Sequence, residues 1–200
     1  MLVLASSSPR RQDLLRNARI PFVLHPANVP EVPKPGEPAL ACAQRLAQEK
    51  ATVVSRLRPG EMILGADTLV VVDGQILGKP SDPADAARML RLLSGRSHQV
   101  ITAVCLLRTA PQDPSTGFQE VRSETTNVTM SELTDDDIRF YISTGEPMDK
   151  AGAYAIQGMA SRWIPRIEGD YCNVVGLPVA LVWKMLRESR ANLEREKQLL

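Results

Sequence analysis

The sequence predicts an α/β fold, a mixed sheet with flanking helices. Two observations carry this. Apolar runs of β type alternate along the chain with segments of helical spacing, the pattern of helices packed on a sheet. Two pairs of strand-like runs also follow each other through turn-rich links. Part of the sheet therefore pairs antiparallel, and the whole is not purely parallel. With 200 residues and 44% hydrophobic content, the chain can bury one sizeable core but is too short for two large domains. Residues 1–200 are read as a single domain.

Each element follows from its residues. Leu2 to Ala5 reads as a short buried strand. Ser8-Pro9 opens a helix, since Ser is a good N-cap and Pro is tolerated at the first helical position. Leu14, Leu15 and Ala18 form its apolar face. Five prolines (Pro26, Pro30, Pro33, Pro35 and Pro38) forbid regular structure over residues 26–38 and make a loop. Leu40, Ala43, Ala47, Ala51 and Val54 stand at helical spacing and predict a helix from about Pro38 to Arg56. Met62 to Ala66 is a strand running into Asp67, and Thr68 to Val72 continues it. Asp73-Gly74 is a hairpin signal, so Gln75 to Leu77 folds back. Asp82-Pro83 starts a helix and Gly95 ends it. His98 to Leu107 and about Phe118 to Met130 read as strands, joined by a loop from Thr109 to Gly117. Thr134 to Asp137 resembles a capping box, and Gly145 closes that helix. Glu146 to Gln157 reads as a loop, with a strand near Trp163 to Ile167 and a last helix from near Pro178. The charged tail from Arg187 to Leu200 reads as a solvated helix end.

Composition narrows the function. Twenty-four Lys and Arg stand against 23 Asp and Glu, a net charge of +1. A general nucleic-acid binder would carry a basic excess. No apolar run approaches the ~20 residues that span a bilayer. Cys42, Cys105 and Cys172 are far apart, with no Cys-x-x-Cys, and read as buried thiols in a reducing, cytoplasmic compartment. The N-terminal residues lack the basic region of a signal peptide.

Three constellations could carry chemistry. The first is Ala5 to Arg11, a strand, a hydroxyl-rich turn and a helix start. Arg10 and Arg11 lie in a first turn that already carries positive partial charge, a conflict that a bound phosphate would resolve. The other reading sends both arginines to solvent or to a local acid. Neither a Walker A pattern nor a dinucleotide fingerprint occurs. The second is Asp67, a carboxylate within the apolar stretch Met62 to Val72. Burying a charge is costly unless it is paired or binds a metal, so Asp67 is a candidate general base or magnesium ligand. The other reading is an Asp that caps a strand end or turn. The third is Lys50, Lys79 and Lys150. Each alone reads as a surface lysine, but Lys79 and Lys150 occupy tight Gly- and Pro-bearing loops, where function concentrates. His98 reads as structural. No zinc spacing and no Ser–His–Asp set can be assembled.

Together these segments resemble the Maf family of nucleotide pyrophosphatases. The resemblance runs from Leu4 to about Leu186. It rests on Leu4 to Arg11, Gly65-Ala66-Asp67-Thr68, Gly78-Lys79-Pro80, Ser94 to His98, Glu146 to Tyr154, Ile156-Gln157-Gly158 and Val175 to Pro178, all in family order. It implies an elongated fold with two lobes around a cleft, like the house-cleaning inosine triphosphatases. It also implies hydrolysis of a nucleoside triphosphate between the α- and β-phosphates, dependent on a divalent cation (Mg²⁺ or Mn²⁺). By the same resemblance Asp67 is the proton acceptor. Arg10, Thr68 and Gln157 bear on substrate choice. Ser6, Arg11, Lys50 and Lys79 meet phosphate, and Glu31 with Asp67 holds metal. The family often has two adjacent acids where this chain has Pro30-Glu31. Thr68 and the run Lys150 to Gln157 resemble the branch acting on dTTP, UTP and modified pyrimidine nucleotides, rather than the branch acting on 7-methylguanosine triphosphate. A non-enzymatic, nucleotide-binding regulator of septum formation is the rival from another class. A homodimer is a further implication.

Overall fold

A computed structural model describes residues 1–110 and 117–198, with side chains described through Ala191. It is α/β with a mixed seven-stranded sheet. The strands are β1 (Leu2–Leu4), β2 (Phe22–Leu24), β3 (Met62–Val72), β4 (Gln75–Leu77), β5 (Ser97–Thr109), β6 (Gly117–Thr129) and β7 (Arg166–Glu168). The helices are α1 (Pro9–Asn17), α2 (Ala39–Leu57), α3 (Pro83–Leu93), α4 (Asp135–Ser143), α5 (Tyr171–Val175) and α6 (Val179–Gln198). The order across the sheet is β2-β1-β3-β5-β6-β7, and β4 also pairs with β3. Strand β1 runs parallel to both β2 and β3. All other pairings are antiparallel, including the two predicted hairpins, β3–β4 and β5–β6.

The long strand β3 positions the site. On one edge it pairs along most of its length with β5, from Ile63↔Leu107 to Val71↔Gln99. On the other edge β1 covers only Met62 to Leu64 and β4 only Val70 to Val72. Residues 65–69 have no strand on that side. Alternation then sorts the side chains. Ile63, Leu69 and Val71 join Ala43, Leu46, Ala47 and Ala51 in a core under α2. Leu64 and Ala66 pack with Leu14, Leu15, Val182 and Met185 from α1 and α6. Val70 and Val72 pack with residues from α3, α4 and the turns beyond Gly145. The last two cores form two lobes on one face of the sheet, and the cleft opens between them.

Helix α2 lies unusually close to β3 because residue 65 is Gly. A Cβ there would stand 2.2 Å from the Ala47 carbonyl oxygen and 2.9 Å from the Ala51 nitrogen.

Several expectations need correction. Ala18 and Leu40 are exposed, because each lies at a helix end where the stripe has left the core. Strand β2 and helix α5 were not anticipated, being too short to show a period. The predicted loop from Glu146 to Gln157 is wound into 3-10 turns, Glu146–Asp149 and Ala151–Ala153. A third turn, Met159–Trp163, takes the start of the strand predicted there, which begins only at Arg166. The predicted loop at 109–117 falls outside the described residues over 111–116. The tail falls outside them at 199–200, and its side chains do from residue 192. Cys42 and Cys105 are buried free thiols, and Cys172 is half-buried. Among the described residues, no helix is long and apolar enough to cross a membrane.

The close α2–β3 contact gives a direct test. Gly65→Ala forces the helix off the strand, and an overpacked core of this kind loses about 1–3 kcal/mol. Urea unfolding will show a lower midpoint with an unchanged slope. An unaltered midpoint would mean that α2 yields freely.

Candidate active site

A cleft of about 290 Å³ opens between the lobes. One wall is the turn from Ser6 into α1. The opposite wall is Asp149 to Gln157, and Val174 to Gly176 closes one side. Asp67, Thr68 and Val70 of β3 lie along the floor, with Glu31 and Lys79 at one end. Asp67 and Thr68 point to opposite faces of the strand, yet both border the cleft. The uncovered edge at residues 65–69 makes this possible.

Helix α1 begins as its sequence predicts. Ser8 is the N-cap, Pro9 the first helical residue, and the Arg11 amide donates to Ser8 Oγ. Pro9 has no N–H, and the Ser8, Arg11 and Gln12 amides are bonded within the turn, so the Arg10 amide is the first-turn donor left for an anion. Arg10 is partly exposed on this wall, and its Nη1 lies 3.6 Å from Asp149 Oδ2 across the cleft.

Arg11 does something else. It is buried, and four of its donor groups are used. Nε donates to the Gly176 carbonyl (2.8 Å). Nη1 donates to Ser6 Oγ (3.1 Å) and to the Ala66 carbonyl (3.0 Å). Nη2 donates to Thr68 Oγ1 (3.0 Å). A guanidinium has five N–H groups, so one remains for a ligand. Burial pulls its pKa down, while Asp67 and Glu31 act against that. Arg11 is thus mainly a clamp joining α1, β3 and the α5 end, with a single N–H left over. Ser6, buried, is likewise occupied by the clamp and by the Ser8 amide.

Asp67 is 4% exposed and Lys50 5%. Lys50 projects from the core-facing stripe of α2, and its Nζ donates to Asp67 Oδ1 at 2.6 Å. The same Nζ donates to Glu31 Oε1. Lys50 is therefore no surface lysine. It also stands behind the two carboxylates, outside the cleft lining, so direct phosphate contact is not where this geometry puts it. Burial raises the Asp67 pKa against the opposing pull of Lys50 and Arg11. Burial also acts to raise Glu31, but Lys50 and Lys79 outweigh it and hold that carboxyl down at about 2. Lys79 is exposed and donates to Glu31 Oε2 at 3.2 Å.

Glu31 and Asp67 therefore converge on one cationic point. Among the described residues, no three His, Cys, Asp or Glu gather as a closed metal cage. Two carboxylates at the charged end of a cleft nevertheless suit Mg²⁺ or Mn²⁺. Such ions take one or two protein carboxylates and complete their shell with substrate oxygens and water. The donor set fits.

Thr68 Oγ1 lies 3.0 Å from Thr102 Oγ1 and 3.3 Å from the Gly176 carbonyl. Thr102 bonds Asn173 through both its amide and its hydroxyl. Gln157 is exposed on the far wall and borders the cleft. Sequence reasoning named Lys150 without giving it a role. The structure places it in the wall, its Nζ on the Glu146 carbonyl and paired with Asp149. It missed Asp149 and Tyr154. Their segment forms 3-10 turns, which leave no period in the sequence to read. Val70, Val100, Tyr154, Ile156 and Val174 make this end of the cleft apolar.

His98 is structural, as predicted. It is buried, with Nε2 2.7 Å from Tyr154 Oη, and it holds that ring at the cleft edge. Burial pushes its imidazole down to about 4.

Comparison with known proteins follows this geometry. The family model of Maf-like proteins matches residues 1–189. A dTTP/UTP pyrophosphatase of Koribacter versatilis is 54% identical over 94% of this chain and 94% of its own. One of Symbiobacterium thermophilum is 51% identical, over 94% and 93% respectively. One of Syntrophomonas wolfei is 49% identical, over 97% and 100%. A solved nucleoside-triphosphatase / dITP/XTP pyrophosphatase from Mycobacterium abscessus shares 18% identity at a TM-score of 0.40, over 66% of this chain and 74% of its own. That likeness is too slight to bear on the site.

The depressed His98 pKa has a signed consequence. In the unfolded chain the imidazole takes up a proton near pH 6.5, while the folded protein resists to about 4. Stability is full above pH 6.5 and is lost as the pH falls through that window. Against a non-titrating His98→Gln control, the protein will lose about 2 kcal/mol between pH 7.5 and 5. Urea unfolding of both proteins at the two pH values measures it. A difference that stays constant with pH would contradict the assignment.

Proposed function

The chain belongs to the family of Maf-like proteins, and on that premise we propose that it hydrolyses dTTP and UTP to the monophosphate and pyrophosphate. The observation that carries this reading is the asymmetry of the cleft. One end has a helix N-terminus, Arg10, Lys79 and a near-buried carboxylate. The other end is apolar and the right place for a base.

The residues divide the work. The amide and guanidinium of Arg10, Lys79 and the last free Arg11 N–H bind and orient the phosphates, which neutralises charge as the bridging oxygen leaves. Asp67 accepts the proton of the attacking water. A carboxyl raised by burial is a better proton acceptor than an ordinary Asp. Lys50 keeps it ionised and aimed. Glu31 and Asp67 are the residues that would hold Mg²⁺ or Mn²⁺, and such an ion would neutralise phosphate charge and lower the pKa of a bound water. Thr68 and Gln157 border the space beyond the phosphates and bear on which nucleoside is accepted. The reading also takes a free nucleotide as the partner and neither nucleic acid nor a membrane. It takes the cytoplasm as the compartment, in keeping with three free cysteines, and a homodimer as the assembly.

The test is product analysis on dTTP, UTP and 7-methylguanosine triphosphate with added Mg²⁺ or Mn²⁺. Monophosphate and pyrophosphate from the two pyrimidine nucleotides are expected. Nucleoside diphosphate with inorganic phosphate would overturn the bond assignment, and preferred turnover of the methylated guanosine nucleotide would overturn the substrate. No turnover of any of them would favour a regulator.

Asp67→Asn checks the base. The amide still accepts the Lys50 hydrogen bond, so stability should fall by only about 1–3 kcal/mol. The value of kcat should fall by about 10²–10⁴-fold while nucleotide affinity survives. A variant that melts early but turns over normally removes Asp67 from the reaction.

A further inference from the structure

The segment that carries Gln157 is held from behind by two residues that the proposed chemistry does not use. Glu146 begins the first 3-10 turn after α4. Its carboxylate accepts the Met159 amide, at 3.1 Å to Oε1 and 3.3 Å to Oε2. Tyr141, at the end of α4, donates its hydroxyl to Glu146 Oε1 at 2.8 Å. The same Tyr141 oxygen accepts the Ala155 amide at 3.1 Å. The two amides lie two residues before and two residues after Gln157, so this pair brackets it.

The bracket rests on firm ground. Tyr141 is buried in the core and packs edge-on against Trp163, with ring centroids 5.4 Å apart. The approach of Glu146 to the loop also depends on residue 158. A Cβ on Gly158 would stand 2.3 Å from Glu146 Oε1. The φ of Gly158 is −102°, which any residue can adopt, so the missing side chain serves space rather than torsion. Gln157 itself makes no hydrogen bond among the described residues, so nothing but its backbone fixes where its amide goes. A side chain whose reach is set only by its backbone is aimed by whatever holds that backbone.

We infer that Glu146 and Tyr141 are positioning residues for Gln157, and that they set substrate selection without touching substrate. This rests on the reading that Gln157 meets the nucleoside.

The experiment is a double-mutant cycle with dTTP and UTP, and with 7-methylguanosine triphosphate as the competitor that the proposed function disfavours. Gln157→Ala should raise KM for dTTP by roughly three- to tenfold, the worth of one hydrogen bond, with kcat within about twofold. Glu146→Ala should raise KM by a similar factor and narrow the preference for dTTP over 7-methylguanosine triphosphate. The double variant should be no worse than Gln157→Ala alone, because Glu146 acts through Gln157. Glu146→Gln, which keeps an oxygen for the Met159 amide, should restore most of the loss. A merely structural role would instead lower the yield of active enzyme and leave KM and the preference alone. Tyr141→Phe keeps the ring in the core and removes only the oxygen, so it serves as the second probe should Glu146→Ala not fold. If Gln157→Ala raises KM but the bracket variants leave it unchanged, or add to it in full, the inference fails alone. If Gln157→Ala leaves KM and the preference unchanged, the reading of Gln157 fails, and the inference with it.

Discussion

A β-strand cannot leave backbone polar groups buried and unpaired without losing much of what its ladder gains. Strand β3 has that difficulty over residues 65–69, where β1 has ended and β4 has not begun. The solution is a side chain. Arg11 reaches from α1 and donates to the Ala66 carbonyl, while its other donors take Ser6, Thr68 and the Gly176 carbonyl. The cation that conflicts with the positive end of its own helix thus does the work of an absent strand. Because no strand lies there, neighbouring residues with opposite-facing side chains, Asp67 and Thr68, border one cleft. With a fully paired edge, a strand would separate them.

The buried Lys50–Asp67 pair follows from the same place. Two charges removed from water are tolerated only if each meets the other at good geometry and finds further partners. The missing side chain at Gly65 brings α2 close enough for the first condition, and Glu31 supplies the second for Lys50. Glu31 is carried on a Pro-rich loop with no ladder of its own, and α2 holds that loop too. Arg45, five residues before Lys50, donates to the Val32 carbonyl at 3.0 Å and to both oxygens of Glu37. One helix therefore delivers both carboxylates, one by pairing across to the strand and one by tying down a loop.

Much of this was legible. Caps at Ser8, Asp82 and Thr134, the Asp73-Gly74 turn and the apolar periods placed most elements and the mixed sheet, because those signals are local. The anion-site argument drew attention to Arg10 and Arg11, but their different fates depend on which one faces the gap in β3, a long-range fact. Lys50 was legible in principle. It stands with Ala43, Leu46, Ala47, Ala51 and Val54 at one-turn spacing, so its stripe was visible and its charge was a reason to expect a partner. Asp149 and Tyr154 were hidden because their segment forms 3-10 turns, which leave no period in the sequence. Strand β2 and helix α5 are too short to leave one.

The two ends of the cleft are built from different materials, and this has a consequence for specificity. The end that holds Arg10, Lys79 and the two carboxylates rests on a central strand, a long helix and a capped helix start, whose geometry is shared with the cores beneath. Triphosphates present the same groups whatever the base, so rigidity there costs nothing in choice. The far end rests on short turns from Glu146 to Trp163 and on Asn173, which is buried and bonds Thr102, Thr126 and the Val100 carbonyl. Thr68 stands between the two ends. It belongs to β3, but its hydroxyl is placed by Arg11 on one side and by Thr102 and Gly176 on the other. A change in the turns can therefore reshape the apolar end while Asp67 keeps its partners. A change at Thr68 reaches the clamp that holds the sheet gap closed. On the proposed function, selectivity is therefore more freely tuned from the Gln157 side than from the Thr68 side.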